Sequence, residues 1–363
     1  MGKRSGTLEK LVIDLSFWKD KNVFITGHTG FKGSWLCKIL LNAGAKLTGY
    51  ALEPPANPNL FELCDLSKKM ASVTGDIRDR EKLFEVFSKA NPEIVIHMAA
   101  QPIVRDSYID PAYTYDTNVM GTVNILECIR LHDFVMSFLN VTTDKVYHND
   151  ERETGYCEND VLNGYDPYSN SKSCSELVTQ SYKKSFFSNT GIAISTARSG
   201  NVIGGGDFSN DRIIPDCIRA AMKSEPVIVR NPNSIRPYQH VLDPLFAYLI
   251  IVQKQFENIS YADNYNVGPD DKDCITTGEL VNIFCDLWGN NQSWETCDAG
   301  GPHEAGFLRL DCSKFKTTFN RKPRWDVHKA VSKTVEWTRV YQKRGNICDI
   351  MDRQINEFIV GAN

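Results

Sequence analysis

Residues 22–44 read NVFITGHTGFKGSWLCKILLNAG. NVFIT has the β-branched and aromatic content of a strand. GSWLCKILLNAG (33–44) has the apolar content of a helix that stops at a glycine. Between them runs G-x-x-G-x-x-G, at Gly27, Gly30 and Gly33. Glycines at a strand-to-helix turn let the backbone bend tightly and bring its N–H groups close to a phosphate at the positive end of the helix. The spacing is not the G-x-G-x-x-G of the usual dinucleotide fingerprint. The motif is weak alone and takes its weight from where it stands.

Working outward, the same alternation continues. KLTGYAL (46–52) reads as a second strand and MASVTGD (70–76) as a third. REKLFEVFSKANP (80–92) reads as a helix stopped by Pro92, and EIVIHMAA (93–100) as a strand. A long helix is expected over 113–131, a strand over FLNVTT (138–143), a helix over 166–187, and a strand and loop over GIAISTARSGNVIG (191–204). Strands that alternate with helices of this length predict an α/β fold with a Rossmann-type doubly wound parallel sheet. Beyond residue 204 the pattern turns irregular and richer in Gly, Pro and Asn. The expected division is a nucleotide-binding domain over 17–203, with some later segments returning to it, and a smaller C-terminal substrate-binding lobe over 204–363.

Composition narrows the classes of function. The 363 residues exceed one ordinary core, and 42% hydrophobic with 24% charged residues is the balance of a soluble globular chain. A net charge of −4 argues against a nucleic-acid surface or a polybasic membrane patch. No apolar run approaches the roughly 20 residues that span a bilayer. The opening MGKRSGTLEKLVIDL lacks an apolar signal core, and Gly6 stands where a myristoylation pattern needs Ser or Thr. A cytoplasmic location is expected. The eleven cysteines are scattered without a C-x-x-C pair, which suits reduced thiols. The seven His are dispersed too, so no metal is assigned.

Two further features bear on chemistry. The second strand ends GYALEPP, where an acid would often hold a ribose hydroxyl; Glu53 is the nearest carboxylate, and no Arg stands there for a 2′-phosphate. NAD is expected over NADP. GDIRD (75–79) offers Asp76 to the adenine side, although an Asp before a helix also serves as a cap. Tyr168 and Lys172, in YSNSK, are four apart and share a helix face. An ammonium beside a phenol favours phenolate and makes a base usable near neutral pH. Tyr168 is the only one of fourteen tyrosines with Lys at i+4, but such a pair arises readily by chance. Its place, 25 residues after Thr143 at a predicted strand end, puts it where strand ends line the ligand crevice.

Together these features resemble the extended short-chain dehydrogenase/reductase family over nearly the whole chain from about Phe17. GHTGFKGSW (27–35), HMAAQPIVRDSY (97–108), TNVMGT (117–122), DPYSNSK (166–172), GNVIGGGD (200–207), RIIPD (212–216), IRPYQHVLDP (235–244) and HEAGFLRLDCSK (303–314) are similar, within it, to the sugar-nucleotide 4,6-dehydratases of the CDP-glucose branch. The resemblance implies NAD, CDP-glucose as substrate and a homodimer through the helices near 113–131 and 166–187. It implies that the cofactor is held by Gly27, His28, Gly30, Phe31, Lys32, Gly33, Asp76, Ile77, Ala99, Ala100, Gln101, Tyr168, Lys172 and Arg198. Substrate contacts are implied at Arg105, Asn201, Arg212, Arg236 and His303.

The resemblance also gives meaning to TTDKVY (142–147). In this family's mechanism a Tyr takes the proton from the sugar O4 as hydride leaves C4 for NAD⁺. Water then leaves across C5 and C6, and the hydride returns to C6. Tyr168 is implied as the first base, Lys172 as its tuner, Thr143 as the group that hydrogen-bonds O4, and Asp144 as the acid that protonates the departing C6 hydroxyl. Lys145 is left open among three roles: base at C5, cation that stabilises the enolate, or structural ion pair. As a base it must be neutral; burial and Lys172 would lower its pKa, and Asp144 would raise it. The family usually reads DKCYEN where this chain has DKVYHND (144–150). A sugar-nucleotide 4-epimerase would share Tyr168 and Lys172 but not the adjacent acid and Lys. Intact Thr143, Tyr168 and Lys172 argue against a non-catalytic NAD-sensing scaffold.

Overall fold

The computed structural model describes residues 14–297 and 306–361. Seven strands form the central sheet: β1 (Asn22–Thr26), β2 (Lys46–Ala51), β3 (Ala71–Thr74), β4 (Ile94–His97), β5 (Ser137–Thr143), β6 (Ala193–Ser199) and β7 (Asn264–Val267). They lie in the order β7-β6-β5-β4-β1-β2-β3, and every adjacent pair is parallel. The expected doubly wound sheet is therefore present. The chain builds outward one way from β1 and the other way from β4, so the topological switch lies between them. In such sheets the crevice opens there, outside the carboxyl ends of the strands.

Helices cover both faces. Against one face pack α1 (Phe31–Asn42), α5 (Leu242–Glu257) and α6 (Ile347–Val360), around a core that includes Trp35, Leu245 and Met351. The other face meets α2 (Arg80–Ala90), α3 (Gly121–Arg130) and α4 (Pro167–Ser185), with Phe24, Phe87, Leu126 and Phe138 between them. Coverage on both faces is why β4, β5 and β6 are buried along their whole length. A separate core around Tyr238, Phe284 and Val331 holds part of the C-terminal half together. From that half, β7 and α5 return to the sheet.

The local boundaries have local causes. Asp79 caps α2, its carboxylate accepting from Lys82 N at 3.1 Å, and Asn91 ends it in the left-handed region at φ 44°. Asp166 caps α4, accepting from Ser169 N at 2.9 Å, with Pro167 in the first turn. One expectation is corrected in detail. The helix expected over 113–131 is instead Pro111–Tyr115, a π-helical turn at Asp116–Met120, and α3. The wider turn lets the consecutive Thr117 and Asn118 both face inward. Asn118 spends its carboxamide on the Gln101 backbone, accepting from N at 2.8 Å and donating to O at 3.1 Å.

Candidate active site

The glycine turn connects β1 to α1 at the switch point. Gly27 has φ 76°, and a Cβ on it would lie 2.8 Å from Ala99 N. A Cβ on Gly33 would lie 2.2 Å from Gly27 O. Neither position accepts a side chain without moving backbone. Gly30 is the N-cap of α1 and offers no side-chain cap, and the first turn carries no acid. The N-terminus of α1 thus presents N–H groups and positive potential just past Gly27, which packs on Ala99, a cradle that fits a pyrophosphate. His28 packs away from it: Nε2 lies 2.8 Å from Ser72 Oγ, its ring meets Phe61 edge-on, and desolvation lowers its pKa to about 4.

Asp76 does not cap α2; that is Asp79. Its carboxylate accepts from Arg78 N at 2.9 Å and from the Arg78 guanidinium at 2.7–3.1 Å, and that pairing holds it below the ordinary carboxylate range. Ile77 is buried against Gly121. At the end of β2, Glu53 accepts from Thr74 Oγ1 at 2.9 Å.

At the carboxyl end of β5 the structure gathers the five predicted catalytic residues. Thr143 Oγ1 donates to Asp144 Oδ1 at 2.9 Å, and Lys145 Nζ lies 3.4 Å from the same oxygen. The other oxygen, Asp144 Oδ2, is buried without a hydrogen-bond partner among the described residues. Gly200 closes over it: a Cβ there would stand 1.9 Å from Oδ2. Lys145 is about a third exposed (31%), against none for Asp144. From α4, the Tyr168 phenol comes close enough to the Thr143 hydroxyl to be stabilised by it when ionised. One turn on, the buried Lys172 donates Nζ to Val141 O at 3.1 Å.

The electrostatics depart from expectation at Tyr168. Desolvation pushes its phenol up to about 12; the Thr143 hydroxyl pulls it down and the Asp144 charge pushes it up. The expected lowering by Lys172 is not the governing effect, because that ammonium is turned onto the β5 carbonyl. Lys172 itself falls to about 8, burial lowering it against the pull of Glu176. Lys32, in the glycine turn, also falls to about 8; burial leads, Arg212 and Lys172 add to it, and Asp144 and Asp207 oppose. Lys32, Lys172, Arg212, Asp144 and Asp207 thus share one electrostatic neighbourhood, which joins the glycine turn to the β5 end.

The predicted substrate residues divide. Arg212 pairs with the buried Asp207 at 3.3 Å and acts on both Lys32 and Tyr168. Arg105 lies 3.8 Å from Asp211, which also pairs with Arg230 at 2.9 Å. Asn201, at φ 29°, keeps a buried Oδ1 with no partner among the described residues. Arg236 stands apart on a short strand, Ile235–Pro237, donating to Ile235 O at 2.9 Å and Gly306 O at 3.4 Å. His303 lies outside the described residues. Arg198 is corrected. It is fully buried in a paired fork with Glu176, at 3.0 and 2.9 Å, with Nη1 on Tyr147 Oη at 2.7 Å and Glu158 O at 3.0 Å. Its donors face the protein, so it braces the β5–β6 end instead of lining the crevice. The same Glu176 accepts from Thr142 and Thr196.

Sequence reasoning missed Glu176, Tyr248 and Gly200. Glu176 was legible as the next i+4 step after Lys172. Tyr248 comes from the distant α5, hydrogen-bonds Ser199 at 2.5 Å and lies in the field of Tyr168 and Asp144; no local pattern points to it. Among the described residues no group of three or more His, Cys, Asp or Glu is placed to hold a metal.

With this geometry in view, the GDP-mannose 4,6 dehydratase family model matches residues 24–334. The chain belongs to this family. It is 44% identical over 354 residues, 96% of this chain and 99% of the other, to the CDP-glucose 4,6-dehydratase of Salmonella typhimurium. It is 25% identical over 345 residues, 87% and 97% of the two chains, to the dTDP-glucose 4,6-dehydratase of Haemophilus influenzae. Among solved structures, a dTDP-glucose 4,6-dehydratase from Bacillus anthracis in complex with NAD matches with a TM-score of 0.75 at 21% identity, covering 90% of this chain and 99% of that one. A UDP-glucose 4-epimerase from Thermotoga maritima matches at 0.77 and 20% identity, covering 88% and 99%. Members of this fold thus include dehydratases and epimerases, and the residues at the β5 end must separate them.

Proposed function

We propose that this protein is an NAD-dependent CDP-glucose 4,6-dehydratase, which converts CDP-D-glucose to CDP-4-keto-6-deoxy-D-glucose for deoxysugar and surface-polysaccharide synthesis. The observation that carries the reaction type is Asp144, a buried carboxylate with one oxygen unpartnered among the described residues, set beside Thr143 and Lys145 and next to Tyr168. An epimerase has no hydroxyl to expel and no use for that acid. The choice of CDP rests on the full-length similarity to the Salmonella enzyme.

The glycine turn, Lys32 and the Ala99–Gln101 segment would hold the dinucleotide, which when bound would supply a hydride acceptor for C4 and a hydride donor for C6. Tyr168 removes the O4 proton through its contact with Thr143. A phenol at about 12 is a strong base once ionised, and the Arg212 charge and the Thr143 hydroxyl favour that ionised form. A 4-keto group then acidifies C5. Lys145 takes the C5 proton or holds the enolate charge, and Asp144 protonates the departing C6 oxygen. Arg212 and Arg105 at the crevice, with Arg236 in the C-terminal lobe, would meet the diphosphate. In this reading residues 17–203, with later returning segments, bind the cofactor and 204–363 mainly the sugar nucleotide.

The enzyme is further read as a cytoplasmic homodimer with no membrane or nucleic-acid partner. No helix among the described residues is long and apolar enough to cross a membrane. Incubation with NAD⁺ and CDP-, dTDP-, UDP- and GDP-glucose in turn tests the proposal. A 4-keto-6-deoxy product should form from CDP-glucose well ahead of the others. Preference for another nucleotide would overturn the CDP assignment, and a 4-epimer with no keto product would overturn the dehydration.

A further inference from the structure

Two cysteines far apart in sequence meet outside the site described above. Cys64 follows the short helix Leu60–Leu63, and Cys348 is the second residue of α6. Both are free thiols. Cys348 Sγ donates to Cys64 O at 3.5 Å, which brings the two side chains together. Cys64 Sγ also rests 3.4 Å from Met351 Sδ, and Lys69 Nζ stands 3.7 Å from Cys348 Sγ.

The pair is asymmetric in a way that assigns roles. Cys348 is half-buried, beside an ammonium, in the first turn of a 14-residue helix. Cys348 is therefore the sulfur that a peroxide in solvent reaches first, with the Lys69 ammonium at its side. Cys64 is almost wholly buried (1% exposed), and burial keeps its thiol protonated. We propose that Cys348 and Cys64 form a peroxide-reactive dithiol, with Cys348 the attacking thiolate and Cys64 the resolving thiol.

The chemistry balances with a hydroperoxide as oxidant. The Cys348 thiolate attacks one peroxide oxygen, the O–O bond breaks, and the sulfur becomes a sulfenic acid while the peroxide leaves, protonated, as water or alcohol. The Cys64 sulfur then displaces the sulfenic oxygen; the S–S bond forms and the Cys64 proton departs with that oxygen as water. The bridge would reach the cofactor cradle. Leu60 covers Gly206, and the Phe61 ring packs edge-on to His28 of the glycine turn at 5.2 Å. Oxidation would fasten that segment to α6.

The test uses the full chain with hydrogen peroxide in small excess, followed by alkylation of remaining thiols and peptide mass spectrometry. A Cys64–Cys348 linked peptide should appear first, with two of the eleven thiols protected from alkylation and restored by reductant. In Cys64→Ser, dimedone should label Cys348. In Cys348→Ser, which alters a half-buried position, no link should form and Cys64 should stay alkylatable after denaturation. Lys69→Gln, which removes the ammonium 3.7 Å from the attacking sulfur, should slow the reaction at least about threefold. Oxidation of Cys348 no faster than of the half-buried Cys157 and Cys174 would overturn the proposal, as would a wild-type protein that accumulates dimedone-reactive Cys348 without ever forming the link.

Discussion

Asp144 and Lys145 share one oxygen at 3.4 Å, but they do not share an environment: the acid is fully buried and the ammonium about a third exposed. A solvated turn would expose both. A structural ion pair alone would not explain why Asp144 Oδ2 has no partner among the described residues while Gly200 closes over it, since an unpaired buried carboxylate oxygen is costly. If the pair serves elimination and not the first oxidation, Asp144→Asn and Lys145→Met should still oxidise C4, because Thr143, Tyr168 and Lys172 remain. Reduced-nicotinamide absorbance should rise and persist, with little 4-keto-6-deoxy product released. The two variants should differ in deuterated solvent. Lys145→Met should stop exchange of the C5 hydrogen if Lys145 is the base, and Asp144→Asn should permit it. Continued exchange in Lys145→Met would leave Lys145 as a cation, and full product from both variants would return the pair to a plain turn. At this scale the sequence was uneven evidence. Residues whose position follows from a strand end or a helical step, Thr143 and Lys172 among them, were legible as neighbours. Arg198 was not, because its partner Glu176 sits on another element and a guanidinium in a motif reads the same whether it faces a ligand or a buried carboxylate.

The α4 helix and the β5 strand together bury a lysine, and that has a consequence for stability. Lys172 falls from the ordinary 10.5 to about 8 mainly through burial. Its folded value lies below its unfolded one, so between about pH 8 and 10.5 the unfolded chain binds more protons and stability contributed at this position rises with pH. Below about 8 the lysine is charged in both states and the full penalty applies, about 3 kcal/mol from the distance between the two values. Lys172→Met should therefore lose activity yet be more stable at pH 7, by about 1–3 kcal/mol once the lost contact with Val141 O is allowed for. The gap should narrow as pH approaches 10. Denaturant unfolding at pH 7 and pH 9.5 checks this, and a variant no more stable than wild type at pH 7 would refute it. Elements such as these were readable in advance. NVFIT, KLTGYA and FLNVTT carry strand content bounded by glycine or polar residues, and each lies within a residue or so of its expected limits. The π turn at Asp116–Met120 was not readable, since it exists to aim Asn118 at a loop seventeen residues earlier. Periodicity records only which faces are apolar.

For the molecule as a whole, the sheet order explains why one site draws on so many distant segments. β1 and β4 flank the switch point, β5 and β6 end beside it, and α5 returns from the C-terminal half to set Tyr248 against Ser199. The outer faces of the helical layer raise a separate question. Met120, Leu177 and Phe186 are each about half exposed, at 47%, 51% and 48%, on or just past the helices that carry Asn118, Tyr168 and Lys172. Half-exposed apolar side chains on two adjoining helices suit a self-complementary two-fold contact. We expect the wild-type protein to sediment at twice the 41.0 kDa chain mass. Met120→Glu with Leu177→Glu should place like charges across the contact and shift the species to one chain. Because these helices carry the catalytic groups on their inner faces, monomerisation should also lower thermal stability and turnover together. A wild-type protein that sediments as a single chain at micromolar concentration would refute the dimer, and a double variant that stays dimeric would move the contact to another face.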